Sequence, residues 1–92
     1  MIAQNLTLAT GPNGLFQVEG QTGRALRALV SAGQKGVTAL EVCSWAYRFS
    51  AYCFDLRHKH GLTIETLKES HDGGWHGRYV LRSHVSIMSA LK

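Results

Sequence analysis

At 92 residues, with 45% hydrophobic and 17% charged side chains, the chain is sized for one domain around one modest core, and its composition excludes a disordered tail. Ten Lys and Arg against six Asp and Glu give a formal net charge of +4, to which five His add in mildly acidic surroundings. That balance favours polyanionic partners, but small domains are also basic for solubility alone, so the placement of the charge must decide. No apolar run approaches the ~18 residues that cross a bilayer, and the first ten residues lack the basic and apolar regions of a signal peptide. The expectation is a cytoplasmic protein with no membrane contact, in which Cys43 and Cys53 are reduced, buried thiols.

Residues 1–20 hold two extended-looking pieces, NLTLA and LFQVEG, on either side of GPNG, which is turn chemistry. They form either a hairpin or a loosely held arm. From 21 to 33, Ala25, Leu26, Leu29 and Val30 share one face at helical spacing, with Thr22 as N-cap and Gly33 as stop; Arg24 and Arg27 lie off that face, in solvent. After a short extended connection, Thr38 and Glu41 have capping-box spacing and predict a second helix from Ala39 to near Tyr47. Its apolar face is Ala39, Val42, Cys43 and Ala46, which leaves Trp45 outside.

A third helix is predicted over 48–60. At about 100° per residue, Phe49, Cys53 and Leu56 fall on one arc, while Ala51, Phe54, Asp55 and His58 spread over the opposite side. Gly61 ends it. From Leu62 the period becomes two, and TIETLKES and RYVLRS flank a long, glycine-rich loop, HDGGWHG. Ile64 and Thr66 should face inward with Tyr79 and Leu81. Leu67 and Val80 then lie outward, to be covered by the N-terminal arm, the C-terminal segment or a second subunit. In 84–92, Val85, Met88 and Leu91 recur every third residue, which suits a short final helix.

The order of three helices and a hairpin resembles a winged helix-turn-helix domain. More closely, VTALEV, RFSAYCFDLRHKHGLTIET and GRYVL resemble a small helix-turn-helix family of bacterial and prophage proteins, through Thr38, Glu41, Arg48, Asp55, Leu56, Arg57, Gly61, Ile64, Tyr79 and Leu81. The likeness spans residues 22–82. It implies an α+β fold, a three-helix core with a C-terminal two-stranded wing, organised as residues 1–20, a winged domain over 21–83, and a C-terminal segment 84–92. It also implies a double-stranded DNA-binding protein of transcriptional or phage-type regulation, with helix 48–60 in the major groove and the 63–83 hairpin as wing. Two positions depart from the pattern. Cys53 stands where an aliphatic residue is usual, and Tyr52 where a basic residue is frequent, which removes a phosphate contact.

The residues carry a parallel reading. Helix 48–60 has three cations, Arg48, Arg57 and Lys59, against one carboxylate, Asp55, a net +2 with His58 and His60 able to add to it. Arg48, Ser50, Ala51, Asp55 and His58 are the candidate groove residues; Arg57, Lys59 and Arg78 are the candidate phosphate contacts. Each has a structural counterpart. Arg57 either meets phosphate or pairs with Asp55 or Glu41, and Glu65 and Glu69 share a strand face with Arg78 and Arg82, where their charges cancel.

Phe54 has three readings: contact with a thymine methyl, half-burial by a small helix rotation, or, with Trp45, an exposed patch that another protein covers. Trp75 either folds back on the hairpin or meets the DNA backbone. Trp45, Phe54, Leu67 and Val80 are therefore candidate interface residues for a second copy or a protein partner. The alternative function is a winged-helix interaction module with little DNA affinity. No cysteine or histidine spacing suits zinc, GQTG lacks the lysine of a phosphate-binding loop, and no nucleophile has an arranged base. No enzyme, cofactor or small-molecule substrate is expected.

Overall fold

In a computed structural model, the structure describes residues 6–42 and 48–90, with the side chains of Ser89 and Ala90 left out. The chain begins as a hairpin, β1 (Leu6–Gly11) and β2 (Gly14–Glu19), turned at Pro12 and Asn13. Of the two forms open for this region, the hairpin is the one observed. Strand β2 runs directly into helix α1 (Gly20–Ala32), so the helix begins ahead of Thr22. The N-cap position is Glu19 rather than Thr22, and no side chain caps it. Gly33 ends the helix as expected, its N–H bonded to the Leu29 carbonyl.

Ala25, Leu26 and Leu29 are fully buried and Val30 is partly so. Arg24 is exposed, but Arg27 is half-buried, and its Nε has no hydrogen-bond partner among the described residues. Helix α1 comes unusually close to the hairpin at Gly23. A Cβ there would sit 2.8 Å from Thr7 Oγ1 and 2.9 Å from the Val18 carbonyl oxygen. Gly23→Ala therefore sets a helix-propensity gain of about 1 kcal/mol against an overpacking cost of about 1–3 kcal/mol. Because one obstacle is backbone, the second effect wins, and the urea midpoint should fall rather than rise.

A 3-10 turn (Gly33–Lys35) leads to the short strand β3 (Val37–Thr38). The capping box forms as expected: the Thr38 N–H donates to Glu41 Oε1 at 2.9 Å, and the Glu41 N–H to Thr38 Oγ1 at 3.3 Å. The box encloses one 3-10 turn (Leu40–Val42); the rest of the expected second helix, with Cys43, Trp45 and Ala46, lies outside the described residues. Helix α2 (Phe49–His60) buries Phe49, Cys53 and Leu56 as its wheel requires. It stops at Gly61, whose φ of 66° is left-handed and easy for glycine; the Gly61 and Leu62 N–H groups both reach the Leu56 carbonyl. Burial pushes the free Cys53 thiol up to about 12, so it stays protonated and inert.

Strands β4 (Ile64–His71) and β5 (Gly74–Leu81) form the second hairpin. Their register pairs Ile64 with Leu81 and Thr66 with Tyr79; Ile64 is buried as expected, but Thr66, expected inward, is exposed, where its hydroxyl accepts from Arg57. The tip differs from expectation. The pairing continues to His71 and Gly74, so a two-residue turn, Asp72–Gly73, replaces the long loop; Asp-Gly is well suited to such turns. The C-terminal segment also differs: Ser86–Ala90 is a strand, β6, rather than a helix, and Leu91 lies outside the described residues. Strand β6 pairs antiparallel with β1, and Val85 and Ile87 pack against the core while Met88 points to solvent, a period of two that the three-residue spacing had masked.

The three-helix core is therefore corrected. The described residues contain two α-helices and six strands in two three-stranded sheets, ordered β2-β1-β6 and β3-β5-β4. The physical reason is that the N-terminal hairpin and β6 supply an apolar sheet face. Ala9, Val18, Phe16 and Ile87 close the core against α1 and α2. Val80, expected outward and in need of cover, is fully buried, and the turn at Gly36 of its own chain lies against it: a Cβ on Gly36 would come within 2.8 Å of Val80 Cγ2.

Candidate nucleic-acid interface

Burying Phe49, Cys53 and Leu56 on one side of α2 turns Ser50, Phe54 and His58 outward, at four-residue spacing along a single stripe. Arg48 and Lys59 are exposed at its two ends, and Ala51 and Asp55 are half-buried along its flank. Phe54 is 55% exposed, with its ring 4.1 Å from that of His58. The buried arc lies where the wheel put it, so the reading in which the helix rotates to half-bury Phe54 falls.

The other candidates are held more tightly. Arg57 meets neither Asp55 nor Glu41: its Nε donates to the Ile64 carbonyl at 2.9 Å, and its Nη2 to the same carbonyl and to Thr66 Oγ1. The guanidinium thus ties α2 to the first residues of the wing. Arg57→Met should lower stability by about 1.5–3 kcal/mol, the worth of hydrogen bonds from a charged donor, in urea denaturation. Arg57→Lys should not restore it, because an ammonium lacks the planar fork that reaches both acceptors.

Arg78 donates from Nε to Glu69 Oε2 at 2.8 Å and from Nη1 to the Lys35 carbonyl at 3.3 Å, and Glu41 Oε1 lies 3.7 Å from Nη1. His76 Nε2 is 2.8 Å from the other Glu69 oxygen, and Arg82 pairs with Glu65 at 2.8 Å. Hydrogen bonds from Arg78 and then His76 hold the Glu69 carboxyl below the usual range. For Glu41 the main cause of the same direction is the Thr38 N–H. Both carboxylates favour the fold above the ordinary carboxylate range, and that contribution fades as pH falls through their lowered values.

The cancellation foreseen for Glu65, Glu69, Arg78 and Arg82 is therefore what the wing shows. Among the described residues, Arg48, Lys59 and Lys68 take part in no ion pair. Lys68 belongs with the candidate contacts of the wing. It sits on the wing with Nζ 4.7 Å from the centre of the Trp75 ring, which is itself 57% exposed. Leu67 is half-buried opposite Arg78, and Trp45 lies outside the described residues.

The first hairpin also borders this surface. Its tip, Gly11 to Phe16, and the end of α2, His58 to Gly61, enclose an open groove of about 370 Å³. The Phe16 and His60 rings lie 4.9 Å apart. Burial, then the neighbouring Lys59, keeps His60 below the usual imidazole range, so His60 contributes less positive charge than an exposed histidine would. The GPNG turn was legible in the sequence, but its place beside α2 is set by a contact between residues more than forty positions apart.

A helix with an exposed, cation-ended stripe, tied by Arg57 to a two-stranded hairpin, is the arrangement of a winged helix. A family profile described as a winged helix domain matches residues 15–90, most of the chain, and the chain belongs to that family. Neither curated proteins nor solved structures gave a match. Among the described residues no helix is long and apolar enough to cross a membrane.

Proposed function

We propose that the chain is a non-enzymatic, cytoplasmic double-stranded DNA-binding module of transcriptional or phage-type regulation. Helix α2 enters the major groove and the β4–β5 hairpin acts as its wing. The observation that carries this reading is the pairing pattern of the charges. Arg48 and Lys59, at the ends of the exposed α2 stripe, and Lys68 on the wing remain available to phosphates, whereas Glu69 and Glu65 on the wing strands are paired with Arg78 and Arg82. Ser50, Ala51, Asp55 and His58 are the groove-facing candidates, and Phe54 can pack on a thymine methyl. Arg57 and Arg78 then act by positioning the wing rather than by touching phosphate.

A module of this size buries only on the order of 600–1,000 Å² on DNA, so useful specificity calls for two copies. The second reading is an interaction module in which Phe54 and Leu67 meet a protein, favoured by the exposure of Phe54. A salt series of duplex binding by fluorescence anisotropy separates the two: binding that weakens steeply with salt supports the first, and no binding at low salt supports the second.

A further inference from the structure

Each sheet has two edges, and an edge strand offers unpaired N–H and C=O groups to any other strand unless something guards it. Three of the four edges are guarded. Strand β4 carries Glu65, Lys68 and Glu69 along its length. Strand β3 is two residues long. Strand β2 ends on the charged Glu19 and faces helix α2 across an open groove, which Gln17, Val18 and Glu19 share with Asp55, Lys59 and His60.

Strand β6 has none of these three, although its register against β1 shifts between Leu8 and Ala9, so that Met88 has no opposite residue. It pairs with β1 on one side, and no strand among the described residues pairs with its other side. Its residues, Ser86 to Ala90, include no charge, no proline and no glycine. Beside it, the outer face of the β2-β1-β6 sheet mixes apolar side chains with Thr10, Gln17 and Glu19. Leu15 is 65% exposed, Met88 is 58% exposed, and Leu6 and Leu8 are half-buried.

We propose that β6 is a dimerisation edge, where two copies of this chain pair β6 to β6, antiparallel, into one six-stranded sheet. A neutral strand gives a charged partner nothing to hold, whereas it meets its own copy about a two-fold axis without like-charge repulsion. The axis of an antiparallel pair stands perpendicular to the sheet. Both copies of α2 therefore lie on the same side of the joined sheet, as reading of an inverted repeat requires. This deepens the two-copy part of the proposed function and does not depend on its DNA-binding part.

The test uses the full chain without DNA. Light scattering over a concentration series should give a mass approaching twice 10.1 kDa, with amide exchange at residues 86–90 slowing as concentration rises. Met88→Lys places two like charges at the junction and should yield a monomer of unchanged circular dichroism; Ser86→Lys should do the same, and Lys68→Glu on the β4 edge should remain dimeric. A monomeric mass at every concentration overturns the proposal. So does a dimer whose residues 86–90 exchange no more slowly than in the monomer, or one that survives both lysine variants. A dimer here, together with no duplex binding in the separate anisotropy series, would overturn the DNA reading alone.

Discussion

Replacing Arg48 and Lys59 together with Ala should flatten the salt dependence of duplex binding. Each neutralised phosphate contributes about 0.9 to the slope of log K against log salt, so removing two contacts should reduce it by about 1.8. Arg78→Ala is the sharp comparison. It deletes one cation against the pair's two, but that charge is already satisfied by Glu69 and the Lys35 carbonyl, so the slope should barely move rather than fall by half as much. Phe54→Ala should leave the slope as it is and change sequence preference or oligomer size, because an apolar contact releases no counterions. A slope insensitive to the Arg48 and Lys59 pair, with affinity intact, would place the interface elsewhere.

Phe49→Ala should be the most damaging single truncation in the core. Phe49 is the largest of the fully buried side chains, and its ring meets that of Tyr79 edge to face, with centroids 5.3 Å apart. That contact joins α2 to the β3-β5-β4 sheet. Emptying such a site costs about 3–5 kcal/mol, against a total of roughly 5–14 kcal/mol expected for a chain of this length. The melting temperature should drop by about 12 °C or more, read by circular dichroism or calorimetry. Phe49→Leu should retain much of the burial and lose mainly the ring contact, worth about 0.5–1.5 kcal/mol. A fall of only a degree or two for the alanine variant would mean that α2 is not anchored there.

Local chemistry was legible wherever a short stretch of chain satisfies itself. The reciprocal Thr38–Glu41 bonds, the Gly33 and Gly61 stops, the buried arc of α2 and the register of the β4–β5 hairpin all come from residue type at fixed spacing. Contacts that cross the fold were not legible. Arg57 had two partners in view, Asp55 and Glu41, and chose neither, because the Ile64 carbonyl comes within reach only once β4 turns back along α2. Val80 looked outward by alternation, yet the turn at Gly36, more than forty residues away, covers it. The C-terminal segment read as helix because Val85, Met88 and Leu91 can be counted in threes. Beside β1, residues 86–90 gain a ladder of backbone bonds, and pairing outweighs a weak helical pattern.

From the sequence by itself came one basic domain, a helix at 48–60 with cations at its ends, and a following hairpin, since charge, periodicity and turn chemistry are local properties of the chain. Tertiary structure decided which of those cations remain available and how the core is closed. The wing's arginines are neutralised by carboxylates across strands, Arg48 and Lys59 are not, and a second sheet, joined from the two ends of the chain, supplies the face against which α1 rests. Ion pairing and sheet closure depend on which distant residues become neighbours, and spacing along the chain does not encode that.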